Sequence, residues 1–370
     1  MRNFKKEKAV LMLEGGNYYE GFYEGEPAES GGEAIFNTAM NGYQELITDP
    51  SYNGQVVVTT YPMAGNYGIN DIDFESRKVW ISGLVTKNYV GNFSHHNSSK
   101  SLAEFINSYG YPVISGIDTR HLTILLRDGG QFNVYIAPKE AGLEYIKNKL
   151  DLLPKMDGLN LVSNVSTKYV YENKVDISEL RVTVIDYGVK FNTLRCLNDI
   201  KADVTVVPHN FSKKEILNTE PDGILLSNGP GDPKSMESEI ETLRSILGEK
   251  PIFGICLGHQ LLSLALGFDT YKLKFGHHGI NQPVKNLKTG KIEITSQNHG
   301  FCVDLKSGAG NTNKNNTILT YLNLNDNTVE GIKNDFLKAF SVQYHPESSP
   351  GPRDSRYLFT EFKELCLNDK

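Results

Sequence analysis

The chain has 370 residues, 39% hydrophobic and 22% charged, with a formal net charge of −6 at pH 7. That length predicts two domains, and the mild acidity leaves no basic footprint for nucleic acid or an anionic membrane. Cys196, Cys256, Cys302 and Cys366 lie far apart with no C-x-x-C pair, so a disulfide scaffold and a thiolate metal site are both unsupported and a reducing cytoplasm fits best.

The basic start Met1–Lys8 is followed only by the apolar run Ala9–Leu13 before Glu14. That run is too short for a signal peptide, and no later segment is long enough to span a membrane. Strand-like pieces at Ala9–Leu13, Val56–Tyr61 and Val79–Val85 are separated by turns containing Gly, Asn and Pro, and Ser101–Tyr109 and Thr119–Arg127 read as helices. A polar stretch from Ser166 to Glu179 reads as a linker, which predicts a mixed α+β domain over 1–170 and a second domain over 180–370.

From Arg181 strands and helices alternate. Val182–Ile185, Val204–Val207 and Gly223–Ser227 read as buried strands. Val189–Ile200, Lys213–Leu217 and a segment through Ile240, Leu243 and Leu247 read as helices. This α/β pattern predicts a parallel sheet covered on both faces, with ligands bound beyond the carboxyl ends of the strands. The turn Asn228–Pro233 lies at one such end. Asn311–Asn316 reads as a polar loop.

The segment Gly254-Ile255-Cys256-Leu257-Gly258-His259-Gln260 follows the apolar run Pro251-Ile252-Phe253. It has the pattern of a nucleophile elbow, a strand ending at a reactive side chain with a helix starting at once. Glycines two residues to either side remove side chains where the two backbones must nearly touch. A helix N-terminus favours thiolate over thiol, which suits attack on a carbonyl carbon. Such a cysteine needs a base, and Ala339–Glu347 reads as a strand running into a turn that carries His345 and Glu347. Two residues apart, they point to one side of an extended chain, so an imidazole can take the thiol proton while a carboxylate orients it. His277 and His278 are read as a packed loop, and His259 and His299 as structural hydrogen-bonding groups.

These residues resemble the triad of the class I glutamine amidotransferases, whose G-[IV]-C-x-G-[HM]-Q and late H-P-E strings both stand here. Leu226–Pro233 is similar to that family's oxyanion loop. Lys274–Gly279, Ser296–Phe301 and Ser348–Pro352 narrow the resemblance to the small-chain family of carbamoyl phosphate synthetase. Phe36–Glu45, Thr48–Tyr52 and Gly116–Arg120 resemble the N-terminal domain peculiar to those chains. Departures are minor: Tyr187 and Phe191 stand where aromatic and basic residues are common, and Ser349 replaces a usual Ala.

The resemblance implies hydrolysis of the glutamine side-chain amide to glutamate and ammonia. Cys256 would form a γ-glutamyl thioester, His345 would move the protons and Glu347 would orient it. The backbone N–H groups of Leu257 and Gly231 would hold the oxyanion. Ser51, Gly229, Gly231, Leu257, Gln260, Asn298, Gly300 and Phe301 would bind glutamine. Gln260, one helical turn after Cys256, would reach back over the site, and Ser51 would bring the first domain into the pocket.

No phosphate-gripping motif is found, so no cofactor is expected on this chain. The family implies a large synthetase subunit that carries ATP and a divalent metal. That subunit would receive ammonia through an internal tunnel and make carbamoyl phosphate for arginine and pyrimidine synthesis. Alternatives are a glutaminase of another pathway, an esterase- or peptidase-like cysteine hydrolase, and an inactive partner-binding module. The N-terminal domain argues against the first and the Asn298–Phe301 and Gly229–Gly231 patterns against the second. The intact triad argues against the third.

Overall fold

The computed structural model of the chain describes residues 6–306 and 316–369. The basic start as far as Lys5, and the polar stretch at 311–316 except Asn316, lie outside the described residues. The chain forms two compact units, Met1–Met156 with Lys274–His278, and Asp157–Leu273 with Gly279–Lys370.

The first unit is built on a closed barrel. Its strands are β1 (Lys8–Leu13), β2 (Tyr18–Tyr23), β3 (Ser30–Asn37), β4 (Gln55–Thr59), β6 (Gly83–Val85), β8 (Val113–Ser115) and β9 (Asn133–Pro138), in the order β1-β2-β8-β6-β4-β3-β9. Two short strands, β5 (Met63–Ala64) and β7 (Asn88–Tyr89), form a separate pair. Of the piece read as a strand at 79–85, only Gly83–Val85 is one. Alternate residues of β1 serve two cores, as a two-residue period requires. Ala9, Leu11 and Leu13 cluster with Val56, Val58, Val85, Ile114, Val134 and Ile136. Val10 and Met12 face Ile146 and Leu150 of the helix Leu143–Asp151.

The two helices expected in this unit are present and capped. Ser101 forms a capping box with Glu104 ahead of Leu102–Asn107, and Asp118 accepts the His121 N–H at the start of Thr119–Gly129. The segment Lys274–His278 is bonded into this unit. Gln131 N donates to the Lys274 carbonyl at 2.9 Å, and the Phe36 and Phe275 rings stack at 5.9 Å.

The second unit holds a ten-stranded sheet. Its strands are β10 (Tyr171–Asn173), β11 (Leu180–Asp186), β12 (Ala202–Pro208), β13 (Gly223–Leu226), β14 (Ile252–Ile255), β15 (Asp269–Asn286), β16 (Ile292–Asp304), β17 (Thr317–Asn323), β18 (Val329–Asn334) and β19 (Ala339–Val342). Their order is β10-β12-β11-β13-β14-β19-β18-β17-β15-β16. The stretch β12-β11-β13-β14-β19 is parallel, as the alternating pattern predicts. β10 and β18 extend it antiparallel, and β17 pairs antiparallel with both β18 and β15. The sheet is therefore mixed rather than parallel throughout.

Both faces are covered. Ile185, Ile224, Leu226 and Ile252 pack with Ile240 and Leu243 of Glu237–Ile246 and with Leu261 and Leu262 of Leu257–Ala265. Val184, Leu225, Phe253 and Phe340 face Leu194 of Phe191–Asp199 and Phe359 and Phe362 of Tyr357–Leu367. The stretch read as a linker belongs to this unit, because Tyr171–Asn173 pairs with Val204–Val206. The chain passes from one unit to the other at Met156–Asp157. No helix among the described residues is long and apolar enough to cross a membrane.

Candidate active site

Cys256 stands between β14 and the helix Leu257–Ala265 with φ 53° and ψ −106°, a conformation non-glycine residues rarely adopt. The surrounding glycines explain how the turn closes. A Cβ on Gly254 would lie 2.7 Å from the Gly258 carbonyl oxygen, and one on Gly258 would lie 2.2 Å from that of Leu226. The turn is fixed by main-chain bonds from Cys256 N to the Val342 carbonyl at 2.9 Å and from Gly258 N to the Ser227 carbonyl at 3.0 Å. Its side chain is buried, and Sγ donates to the Asn298 carbonyl at 3.6 Å.

His345 Nδ1 lies 2.7 Å from Glu347 Oε1, with both side chains buried. The pairing differs in origin from the extended geometry expected. β19 ends at Val342, and the chain then turns, with Ser348 N donating to the His345 carbonyl at 3.0 Å. His345 N donates to the Ser296 carbonyl of β16 at 2.9 Å, which sets the imidazole beside the strand that also accepts the Cys256 thiol. Nε2 of His345 is buried with no nitrogen or oxygen partner among the described residues.

The electrostatics of this pair are opposed by burial and decided by charge. Burial pulls the His345 ring down, but the Glu347 carboxylate and Cys256 outweigh it and raise it to about 10. Burial pushes Glu347 up, yet the Lys190 ammonium and His345 hold it at about 2. Nδ1 facing a carboxylate must carry a proton, so Nε2 is the nitrogen left to exchange one.

The glutamine-binding residues expected from the sequence fall into both units. Ser51 belongs to the first, in the turn Pro50–Tyr52, where its N–H donates to Asp49 Oδ1 at 2.9 Å. The others belong to the second. Gly229 packs tightly, since a Cβ there would meet the Tyr187 carbonyl oxygen at 2.2 Å and Leu257 Cδ2 at 2.9 Å. Gly231 has φ +96°. Asn298, Gly300 and Phe301 lie along β16.

Gln260 is also tied to the sheet. Its amide is buried and Nε2 donates to the Phe301 carbonyl at 2.9 Å and to Gln343 Oε1 at 3.1 Å, so it braces β16. His259 is fully buried against Ser341 Oγ at 2.8 Å, and burial lowers it to about 3. It is a neutral structural group.

A model of the class-I glutamine amidotransferases matches residues 183–365, and one of the carbamoyl-phosphate synthase small chain, CPSase domain, matches residues 11–136. Relatives named carbamoyl phosphate synthase small chain align over nearly the whole length. The Chlorobaculum tepidum protein is 48% identical, over 96% of this chain and 97% of its own. The Aquifex aeolicus protein is 48% identical, over 98% and 99%, and one from Listeria monocytogenes 47%, over 98% and 98%. The chain belongs to the carbamoyl phosphate synthase small-chain family.

Two residues of this small chain escaped the sequence reading. Lys190 Nζ lies 3.0 Å from Glu347 Oε1 with both side chains buried, and it also donates to the Ser348 carbonyl. Asn192 Nδ2 donates to the Glu347 carbonyl at 2.5 Å. The available signal was position. Lys190 follows the carboxyl end of β11, where sheets of this kind gather ligand-binding groups, and it is a lysine set between Val189 and Phe191.

Proposed function

We propose that this small chain hydrolyses the side-chain amide of glutamine and passes the ammonia to a large synthetase subunit. The observation that carries the reading is the buried Cys256 at a strand–helix turn, in one unit with a buried His345–Glu347 pair whose Nε2 has no nitrogen or oxygen partner among the described residues.

In this reading Cys256 Sγ adds to the amide carbon while the proton it gives up is carried at Nε2 of His345. The oxyanion that forms is met by the N–H groups of Leu257 and Gly231; removing one such donor typically costs about 10²–10³ in rate. His345 then protonates the departing ammonia, leaving a γ-glutamyl thioester. A water deprotonated by His345 attacks that thioester, so glutamine and water give glutamate and ammonia. Glu347 holds the imidazole in the required tautomer, and Lys190 keeps Glu347 ionised. Ser51, Gly229, Gly231, Leu257, Gln260, Asn298, Gly300 and Phe301 are assigned to glutamine binding, with Gln260 also bonded to the Phe301 carbonyl.

The large subunit is assigned ATP, the divalent metal and the synthesis of carbamoyl phosphate, in the cytoplasm, for arginine and pyrimidine formation. The test is Cys256→Ser in the assembled enzyme. Glutamine-dependent synthesis should be lost while synthesis from free ammonia persists. Loss of both would make Cys256 structural and overturn the assignment.

A further inference from the structure

The Ser296–Phe301 segment of β16 touches both the nucleophile and its base. The Ser296 carbonyl accepts the His345 N–H at 2.9 Å, and the Asn298 carbonyl accepts the Cys256 thiol at 3.6 Å. Side chains alternate between the two faces of an extended strand, so Gln297 and His299 share one face and Asn298 belongs to the other. Both are buried, and they meet: His299 Nε2 lies 3.0 Å from Gln297 Oε1. His299 Nδ1 lies 2.8 Å from the Phe301 carbonyl oxygen, the same oxygen that accepts from Gln260 Nε2.

This row of side chains ends on one carboxylate. Gln297 Nε2 donates to Glu330 Oε1 at 2.9 Å and to Thr295 Oγ1 at 3.2 Å. Asn323 Nδ2 donates to the same Glu330 oxygen at 2.8 Å. Glu330 lies on β18 and Asn323 on β17, and both are fully buried. β18 is fixed by its ladder with β19, and the Glu330 carbonyl accepts the Gln343 N–H at 2.9 Å. β16 is the last strand in the sheet order, so the side-chain row, rather than a strand ladder, joins Gln297 to β18.

We propose that Glu330 is a positioning residue for glutamine: through Gln297 and His299 it holds Asn298, Gly300 and Phe301 in place beside Cys256. That role rests on the assignment of these three residues to glutamine binding. Without the carboxylate, two buried amide groups lose an acceptor and this part of β16 is free to shift. Cys256 and His345 keep their own main-chain bonds to Val342 and Ser296, so the reacting pair stays assembled and the loss falls on substrate binding.

The test combines glutamine hydrolysis by the full chain with protection of Cys256 from iodoacetamide by glutamine. Glu330→Met keeps the side chain's bulk and removes the acceptor. It should raise KM for glutamine roughly 10-fold, the scale of one buried hydrogen bond lost. It should leave kcat within about threefold of wild type, because a contact that serves ground state and transition state alike acts on KM. The glutamine concentration that half-protects Cys256 should rise by the same factor, while the alkylation rate without glutamine stays at its wild-type value. Glu330→Gln should restore KM, because both amides bond a single oxygen and a carboxamide oxygen has two lone pairs to offer them.

Gln297→Leu breaks the same bond from its other end. It should raise KM alike and add little in Glu330→Met, and it keeps the test open if Glu330→Met does not fold. Wild-type KM in Glu330→Met, a fall in kcat with KM intact, no rescue by Glu330→Gln, or additive effects with Gln297→Leu would each overturn the proposal. If glutamine does not protect Cys256 in the wild type, the assignment of the site itself fails, and the role of Glu330 with it. If glutamine protects wild type and Glu330→Met at the same concentration, only the role of Glu330 falls.

Discussion

Both units bury a glutamate beside a lysine, and the two arrangements differ in what they leave open. In the barrel, Glu24 is buried, but its partner Lys6 is half exposed and Ser115 Oγ donates to the same carboxylate oxygen at 2.5 Å. In the second unit, Lys190, Glu347 and His345 are all buried, and His345 Nε2 has no nitrogen or oxygen partner among the described residues. The first carboxylate is satisfied by a flexible surface cation and a hydroxyl. The second is held by a rigid cation so that it can hold an imidazole. The sheets differ in the same sense. The barrel closes on itself and spends its strands on a core, whereas the open sheet presents the carboxyl ends of β11, β13 and β14 to the loops that carry Lys190, Gly231 and Cys256.

The largest effect separating the units should come from their histidines. His345→Asn should lower kcat for glutamine hydrolysis by about 10²–10⁴, the span of general acid–base catalysis. His121→Asn, which removes an exposed hydrogen bond and an edge-on ring contact to Tyr19 in the first unit, should leave kcat unchanged. Equal losses would mean the assay reports folding rather than proton transfer. The lysines come next. Lys190→Met leaves a buried carboxylate without its cation and should cost about 3–5 kcal/mol in urea unfolding. Lys6→Met breaks a half-exposed pair and should cost no more than about 1 kcal/mol. Similar costs would erase the distinction between the two carboxylates.

Much of the site was legible because its signals are local. The glycines flanking Cys256 follow from how closely a strand and the helix after it must pass, and the two capped barrel helices carry Ser101 and Asp118 at their starts. His345 and Glu347 were legible as a pair, although a turn and not a strand brings them together. What could not be read is held by distant partners. Lys190 reaches Glu347 only because the fold returns the chain there, and the bond from Gln260 to the Phe301 carbonyl joins a helix to a strand far along the sequence. Tyr171–Asn173 is three residues long and largely exposed, so it has no periodicity to show. The strand at Asp269–Asn286 is interrupted by Gly276 and Gly279 and mixes exposed and buried residues, which masks alternation.

The glycines offer a smaller contrast of the same kind. Gly258→Ala forces a Cβ to within 2.2 Å of the Leu226 carbonyl oxygen and should destabilise by about 1–3 kcal/mol, as overpacked sites do. Gly15→Ala in the barrel meets nothing within 4 Å. It carries only the strain of φ +92°, which should cost about 1 kcal/mol. Thermal unfolding of the two variants measures both. A larger loss at Gly15 would show that the Cys256 turn has slack.

The smallest effect is a slope with pH, and it isolates the His345–Glu347 pair. His345 titrates near 10 in the folded chain and at its ordinary 6.5 when unfolded. The stability it contributes is fully present below pH 6.5 and is lost as pH rises toward 10. Glu347 has the opposite sign. Its carboxyl falls from 4.5 to about 2 on folding, so its contribution is present above pH 4.5 and is lost as pH falls through 2. Both contributions are complete only between about pH 4.5 and 6.5. Urea midpoints of wild type and His345→Gln should therefore differ most near pH 6, and the gap should narrow by pH 9. The barrel supplies the control, because Lys6→Met leaves the His345–Glu347 pair untouched and should show the same gap at both values. A His345→Gln gap that stays constant from pH 6 to 9 would mean that the imidazole is not held as a cation between Glu347 and Cys256.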